Sequence, residues 1–354
     1  MVDKVVQELE KVLQEMVQQD KFSGTVLIAK GDEILFENAY GYACKRFDVP
    51  NTIDTIYNIG SLNKIFTKIA ILQLKQKGLL DLDDLVGKHL PDFKEEIATK
   101  VSIRQLISFT SGMGDYFNDK FRSNNWNLRK LGDFVPLFID DPLQFTPGEG
   151  RLYSNAGYVV LGMIIEAVSG EDYYDYIRKN LYEPAGMTNS DHYELDVPIQ
   201  NLATGYTRDQ PCCTNEEKND SETIRRNNYY VIGTRGSSAG GGHSTVHDLH
   251  RFDLALNSQV FLDEKHTKMA ILPISADLSS SPAAIALAGG ASGLCALYLK
   301  FYKAGYSIFI LSNYDPEDVE PLVAVARDII VGNSESGKTS TMVNEKDDTE
   351  NCSC

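Results

Sequence analysis

The sequence predicts an α+β fold: an antiparallel sheet flanked by terminal helices, with a mostly helical lobe inserted between its first and last strands. Three observations predict it. Long strand-forming runs sit near the two ends, at Gly24–Lys30 and Ile34–Tyr42 and again at Ala284–Ala288, Leu294–Lys303 and Tyr306–Asn313. The stretch from Ser61 to about Gln200 reads instead as helices and loops. Helical patterns open and close the chain, with Val5, Val6, Leu9, Val12, Leu13 and Met16 on one face at the start and Pro316–Val331 at the finish. The division is then a sheet lobe of residues 1–58 and 228–332, an inserted lobe of 59–227, and a polar tail of 333–354 read as disordered.

Taken in order, the first two strands are joined by Gly31-Asp32, a hairpin-like link. A helix over Lys64–Gln76 follows, with Leu62, Ile65, Phe66, Ile69 and Leu72 at the spacing of one buried face and Gly78 as a stop. Further helices are expected at Ile103–Phe109, Leu128–Phe138, Asn155–Ser169 (ended by Gly170) and Tyr173–Leu181. From Asn201 to Gly242 the chain is polar and glycine-rich, as loops with short strands are. Val246–Ala255 reads as a helix before the last three strands, and there is no internal repeat.

The totals limit what the chain does. Its 354 residues are 42% hydrophobic and 24% charged, as in an ordinary globular protein. With 34 basic and 50 acidic residues the net charge is −16, which argues against nucleic acid and anionic membranes as partners. No apolar run reaches the length of a membrane span. The first 21 residues form a charged amphipathic pattern rather than a signal peptide. The six cysteines, at 44, 212, 213, 295, 352 and 354, are too dispersed for a disulfide framework. The expectation is a reduced, cytoplasmic setting.

Two stretches carry chemistry. In Ile59-Gly60-Ser61-Leu62-Asn63-Lys64, a helix is expected to start at Ser61, so Ser61 and Lys64 stand one above the other on the same side. An alcohol becomes a nucleophile when a neighbouring base takes its proton, and this spacing supplies an amine. The plain alternative is an N-cap serine and a solvated lysine. In the second stretch, Thr146 to Tyr158, a Pro-Gly turn leads to Tyr153-Ser154-Asn155 ahead of a helix. In extended backbone, Tyr153 and Asn155 point the same way, towards one site. Here the plain alternative is a buried tyrosine and an N-cap asparagine, and a second Tyr-x-Asn occurs at Tyr116–Asn118.

Together these stretches resemble the serine β-lactamase-like family, which joins class C β-lactamases, D,D-carboxypeptidases, D-aminopeptidases and several esterases. The resemblance runs from about Phe22 to Val331. It includes Ser61-x-x-Lys64, Leu106 to Gly112, the Tyr153-Ser154-Asn155 loop with its helix, Glu183 to Thr188, and Ser244 to Phe252, all in one order. It implies a β-lactamase/transpeptidase-like architecture. Ser61 would be the acylated nucleophile, and Lys64 would accept or relay its proton. Tyr153 would be the acid/base that serves the leaving group and water, and Asn155 would hold Lys64 and the substrate. A lysine of free pKa about 10.4 is charged at neutral pH, so its surroundings must shift it, or share a proton with Tyr153, before it acts as a base.

The family's third motif, Lys-Thr-Gly or His-x-Gly, is matched by Leu287-Ala288-Gly289-Gly290. Leu287 takes the slot of the Lys or His, and Phe109 stands where a histidine is expected. The glycines let a backbone approach a bound acyl group, with the N–H groups of Gly290 and Ser61 as the implied oxyanion hole. The expected activity is that of a serine hydrolase acting on a small ester, amide or peptide-like substrate, with no metal or organic cofactor. The alternatives are a β-lactamase or D,D-peptidase proper, and a non-catalytic scaffold, which Leu287 keeps open. Two other patterns carry less. Gly332 to Thr339 spells a phosphate-loop pattern without the strand and helix that a phosphate loop needs. His243, His247 and His250 have helical spacing, and a solvated helix face is expected there.

Overall fold

The computed structural model describes residues 2–208, 224–279, 282–319 and 322. We label the elements that frame the site α1 (Val2–Gln18), β1 (Gly24–Lys30), β2 (Glu33–Tyr40), α2 (Lys64–Gln76), α3 (Asn155–Ser169), α4 (Val246–Asn257), β3 (Ala284–Ala291), β4 (Leu294–Phe301) and β5 (Tyr306–Ser312). The five strands form one sheet in the order β2-β1-β5-β4-β3, antiparallel throughout. The first and last strand groups are therefore hydrogen-bonded side by side, with Leu27 opposite Phe309 and Leu297 opposite Ile310.

Alternation along the strands gives each face its own core. Val26, Ile28, Leu299, Phe301, Ile308 and Ile310 pack with Leu9, Leu13 and Met16 of α1. Leu27, Ala29, Ala296, Tyr298, Phe309 and Leu311 face the larger core that holds α2, α3 and α4. The α+β expectation holds, with a sheet at the ends of the chain and helices between. α2 is buried nearly all round, Thr67, Ile71 and Leu74 included, so it is the central helix of its lobe rather than a one-faced one. No helix among the described residues is long and apolar enough to cross a membrane.

Local chemistry explains the departures. The segment expected as one helix over Leu128–Phe138 is a short helix, Leu131–Phe134, followed by a 3-10 turn, Val135–Leu137. Pro136 has no N–H to continue the α ladder, and its ring clashes with the preceding turn. The helix after Tyr173 ends at Ile177 and widens into a π turn over Arg178–Tyr182. β2 stops at Tyr40 because Gly41, at φ +69°, turns the chain, and β3 runs on through Gly289 and Gly290, paired with Ala296 and Cys295. Helices at Asp119–Asn124 and Glu264–Ile271 were not anticipated, although Asn118 and Asp263 cap them. Residues 316–319 are helical, whereas the rest of the last expected helix (Leu322 aside), the phosphate-loop pattern and the tail lie outside the described residues.

The histidines do not form a solvated face. His243 is buried in a short strand paired with Asn58, and His250 is buried with its Nε2 2.9 Å from the Gly31 carbonyl oxygen. His247 faces Glu37 instead, and no group of three His, Cys, Asp or Glu side chains among the described residues is placed to hold a metal.

Burial pushes His192 down to about 3 and His243 down to about 4. The unfolded chain binds these protons below pH about 6.5 and the folded chain does not, so stability falls as pH falls. Urea denaturation between pH 6.5 and 4 is expected to lose up to about 1.4 kcal/mol per pH unit per histidine. His192→Gln is expected to remove roughly half of that slope. A slope unchanged in His192→Gln would show that this histidine is not its source.

Candidate active site

α2 begins at Lys64, as the expected helix over Lys64–Gln76 has it, but Ser61, where a helical start was also expected, lies in a 3-10 turn, Gly60–Asn63. The reason is the edge strand β3, which presses on the turn. A Cβ on Gly289 would stand 2.0 Å from the Ile59 carbonyl oxygen and 2.7 Å from the Ser61 nitrogen. Gly60, at φ +50°, meets the strand less tightly, since a Cβ there would lie 3.1 Å from the Gly290 nitrogen. Glycine at 60 and 289 is therefore what lets strand and turn meet.

Lys64 is only 8% exposed. Its Nζ lies 2.9 Å from Ser61 Oγ, 2.7 Å from Asn155 Oδ1 and 2.6 Å from the Ala239 carbonyl oxygen. Tyr153 Oη donates to Ser61 Oγ at 2.6 Å, and the ammonium stands 4.5 Å from the Tyr153 ring centroid. Ser154, not Asn155, caps α3: its Oγ accepts from the Gly157 N–H at 2.9 Å and donates to the Gly114 carbonyl at 2.7 Å. This cap fixes the two flanking side chains. Ser61, Lys64, Tyr153 and Asn155 thus meet in one place, brought there by the turn, α2 and the start of α3.

The third-motif residues divide by strand alternation. Leu287 and Gly289 share the face towards the larger core, where Leu287 packs among apolar neighbours, opposite Tyr298 on β4. Gly290 points the other way, towards Pro316. The slot of the family's Lys or His is filled by packed hydrocarbon.

Three contributors escaped the sequence reading, and a fourth, Phe109, entered it only as the residue in a histidine's place. Phe109, at φ +59° and buried, stacks on the Tyr153 ring at 4.8 Å between centroids, and the Tyr158 ring stands 5.4 Å from Lys64 Nζ. Ala239 contributes only its carbonyl. Its loop is held by Ser238 Oγ on the Tyr158 carbonyl (2.8 Å) and by Thr67 Oγ1 on the Ser238 carbonyl (2.7 Å). Asp115 accepts from Asn155 Nδ2 at 2.7 Å. Asp115 is exposed as a whole residue, yet its carboxyl is desolvated. That desolvation raises its pKa, against the lowering by Asn155, the Phe117 N–H and Lys64. The Leu106 to Gly112 match ends three residues before Asp115, the nearest signal that pointed to it.

The geometry serves both charge states of the lysine. An ammonium uses its three N–H donors on Ser61, Asn155 and Ala239. A neutral amine gives its two N–H groups to the two carbonyl oxygens and turns its lone pair towards Ser61 Oγ, the orientation a base needs.

The family model described as Beta-lactamase matches residues 6–290. Penicillin-binding protein 4* of Bacillus subtilis (strain 168) is 30% identical over 351 residues, covering 92% of this chain and 76% of its own. Among solved structures, a penicillin-binding protein from Bacillus halodurans superposes with a TM-score of 0.76 at 27% identity, over 88% of this chain and 98% of that one. D-amino acid amidase from Ochrobactrum anthropi SV3 gives 0.74 at 21% identity, over 94% and 99%, a likeness of fold.

Proposed function

The chain belongs to the β-lactamase family, and from that premise we propose that it is a serine hydrolase that forms an acyl-enzyme at Ser61 on a small ester or amide. The observation that carries this reading is Ser61 Oγ held between Lys64 Nζ at 2.9 Å and Tyr153 Oη at 2.6 Å. Lys64 takes the Ser61 proton as Oγ attacks the substrate carbonyl. The N–H groups of Ser61 and Gly290 receive the developing oxyanion, a contribution of about 3–4 kcal/mol where one such donor has been removed elsewhere. Tyr153 delivers a proton to the leaving alcohol or amine and then helps water attack the ester at Ser61. Asn155 keeps Lys64 in place.

Leu287 supports the substrate class. With hydrocarbon in the slot of a Lys or His, a substrate carboxylate has no cation there to pair with. Neutral esters and amides are therefore favoured over penicillins and D-Ala-D-Ala peptides. The relatives named as penicillin-binding proteins and as a D-amino acid amidase fit acyl transfer to serine in general.

The test is intact-mass spectrometry after a fluorophosphonate probe, followed by turnover of an ester panel against nitrocefin. The expected result is a single adduct that maps to Ser61, with esters turned over faster than nitrocefin. No adduct would favour a scaffold without catalysis, and faster nitrocefin turnover would favour a β-lactamase proper. Tyr153→Phe is expected to shift the basic limb of the pH–rate profile and to lower kcat by about 100-fold. An unmoved limb would take the acid/base role away from Tyr153.

A further inference from the structure

We propose that Asp115 is a positioning residue that fixes the orientation of the Asn155 carboxamide and thereby aims the Lys64 nitrogen at Ser61; this rests on the hydrolase reading above. A carboxamide has two ends, one accepting and one donating, and it serves Lys64 only with its oxygen forward. The structure holds it that way from behind. Asn155 Nδ2 donates to Asp115 Oδ2 at 2.7 Å while Asn155 Oδ1 accepts from Lys64 Nζ at 2.7 Å. An ionised carboxylate accepts only, so it binds the NH2 end of the amide and rejects the oxygen end.

Asp115 is itself anchored. Its Oδ1 accepts from the backbone N–H of Tyr116 at 2.6 Å and of Phe117 at 3.2 Å. The Tyr116 ring is buried, with its hydroxyl 3.2 Å from Ser237 Oγ, in the loop that also carries Ala239. One carboxylate therefore ties together both carbonyl acceptors that orient Lys64, directly through Asn155 and indirectly through the loop. The charged group acting on Asp115 is Lys64 from α2, and from α3 it meets the neutral Asn155.

With the amide reversed, its NH2 would face the lysine nitrogen. A neutral Lys64 would then lose one of its two acceptors, and its lone pair would no longer be held on Ser61. Protonating Asp115 has a milder version of the same effect, because the carboxylic acid both donates and accepts and no longer dictates which end of the amide it meets.

The experiment compares wild type, Asp115→Asn and Asp115→Ala in two arms. In the kinetic arm, Asp115→Ala is expected to lose on the order of 10- to 100-fold in kcat with KM little changed. Asp115→Asn, which still offers a carbonyl oxygen to Asn155 Nδ2, is expected to recover part of that loss. In the second arm, the Asn155 side-chain 15N–1H resonances of wild type are expected to titrate together with the Asp115 carboxyl, and that titration is expected to vanish in both variants. Wild-type kcat in Asp115→Ala, or Asn155 resonances that ignore Asp115, would overturn the proposal. Should wild-type Ser61 take no acyl probe, the hydrolase reading fails by itself, and the resonance arm still decides the orientation.

Discussion

Ser61→Ala is expected to abolish the covalent adduct and to lower kcat/KM by about a thousandfold or more, roughly 4 kcal/mol of transition-state stabilisation. The size follows from what remains. The backbone N–H groups at 61 and 290 survive the substitution, so on the proposed mechanism a bound ester still meets its oxyanion donors, but no covalent intermediate forms. Lys64→Ala is expected to cost about as much by another route, since Ser61 keeps its hydroxyl and loses its base. The two losses are not expected to add. Each removes the same step, so the double variant should sit within about tenfold of either single one. Steady-state rates on one ester, with intact mass as the check on acylation, settle the matter. A Ser61→Ala enzyme within tenfold of wild type would place the nucleophile elsewhere and sink the mechanism.

The sequence was readable where one local rule dominates. α2 and α3 carry strong helical spacing, and Lys64–Gln76 and Asn155–Ser169 come out at the residues expected. It was unreadable where two distant segments set the geometry together. The residues just ahead of α2, Gly60–Asn63, wind as a 3-10 turn rather than as the helical start expected at Ser61, because β3, more than 200 residues away, runs against that turn at Gly60. Gly289 and Gly290 were noticed as glycines, but only the sheet register shows that they face opposite ways. The Ala239 carbonyl has no side-chain signature at all, so no residue pattern announces it as a partner of Lys64. Asp115 is an ordinary-looking acid whose importance lies in which end of Asn155 it grips. Phe109 was read only as standing where a histidine is expected, and its contact with Tyr153 shows what that position supports.

The second large effect concerns stability rather than chemistry. Asp253→Ala is expected to destabilise the fold by about 3–5 kcal/mol. Asp253 sits on α4 with no solvent exposure, where the helix crosses the site-facing side of the sheet. It accepts from Tyr298 Oη at 2.5 Å, Asn257 Nδ2 at 2.6 Å, Ser307 Oγ at 2.6 Å and Lys300 Nζ at 2.9 Å. Lys300 and Ser307 stand opposite each other across the β4–β5 ladder, so the carboxylate pins a helix to two strands at once. Removing it strands a lysine that is only 7% exposed, with a serine oxygen as its remaining partner in this cluster. That uncompensated charge, more than the lost attraction, is the cost. Asp253→Leu with Lys300→Met removes both charges and is therefore expected to recover most of the stability. The consequence reaches the site because β3 hangs on β4 as the sheet's edge and meets the Ser61 turn through Gly289. Urea denaturation of the single and double variants decides between a stranded charge and simple loss of packing. Equal losses in Asp253→Ala and the double variant would rule out the stranded charge.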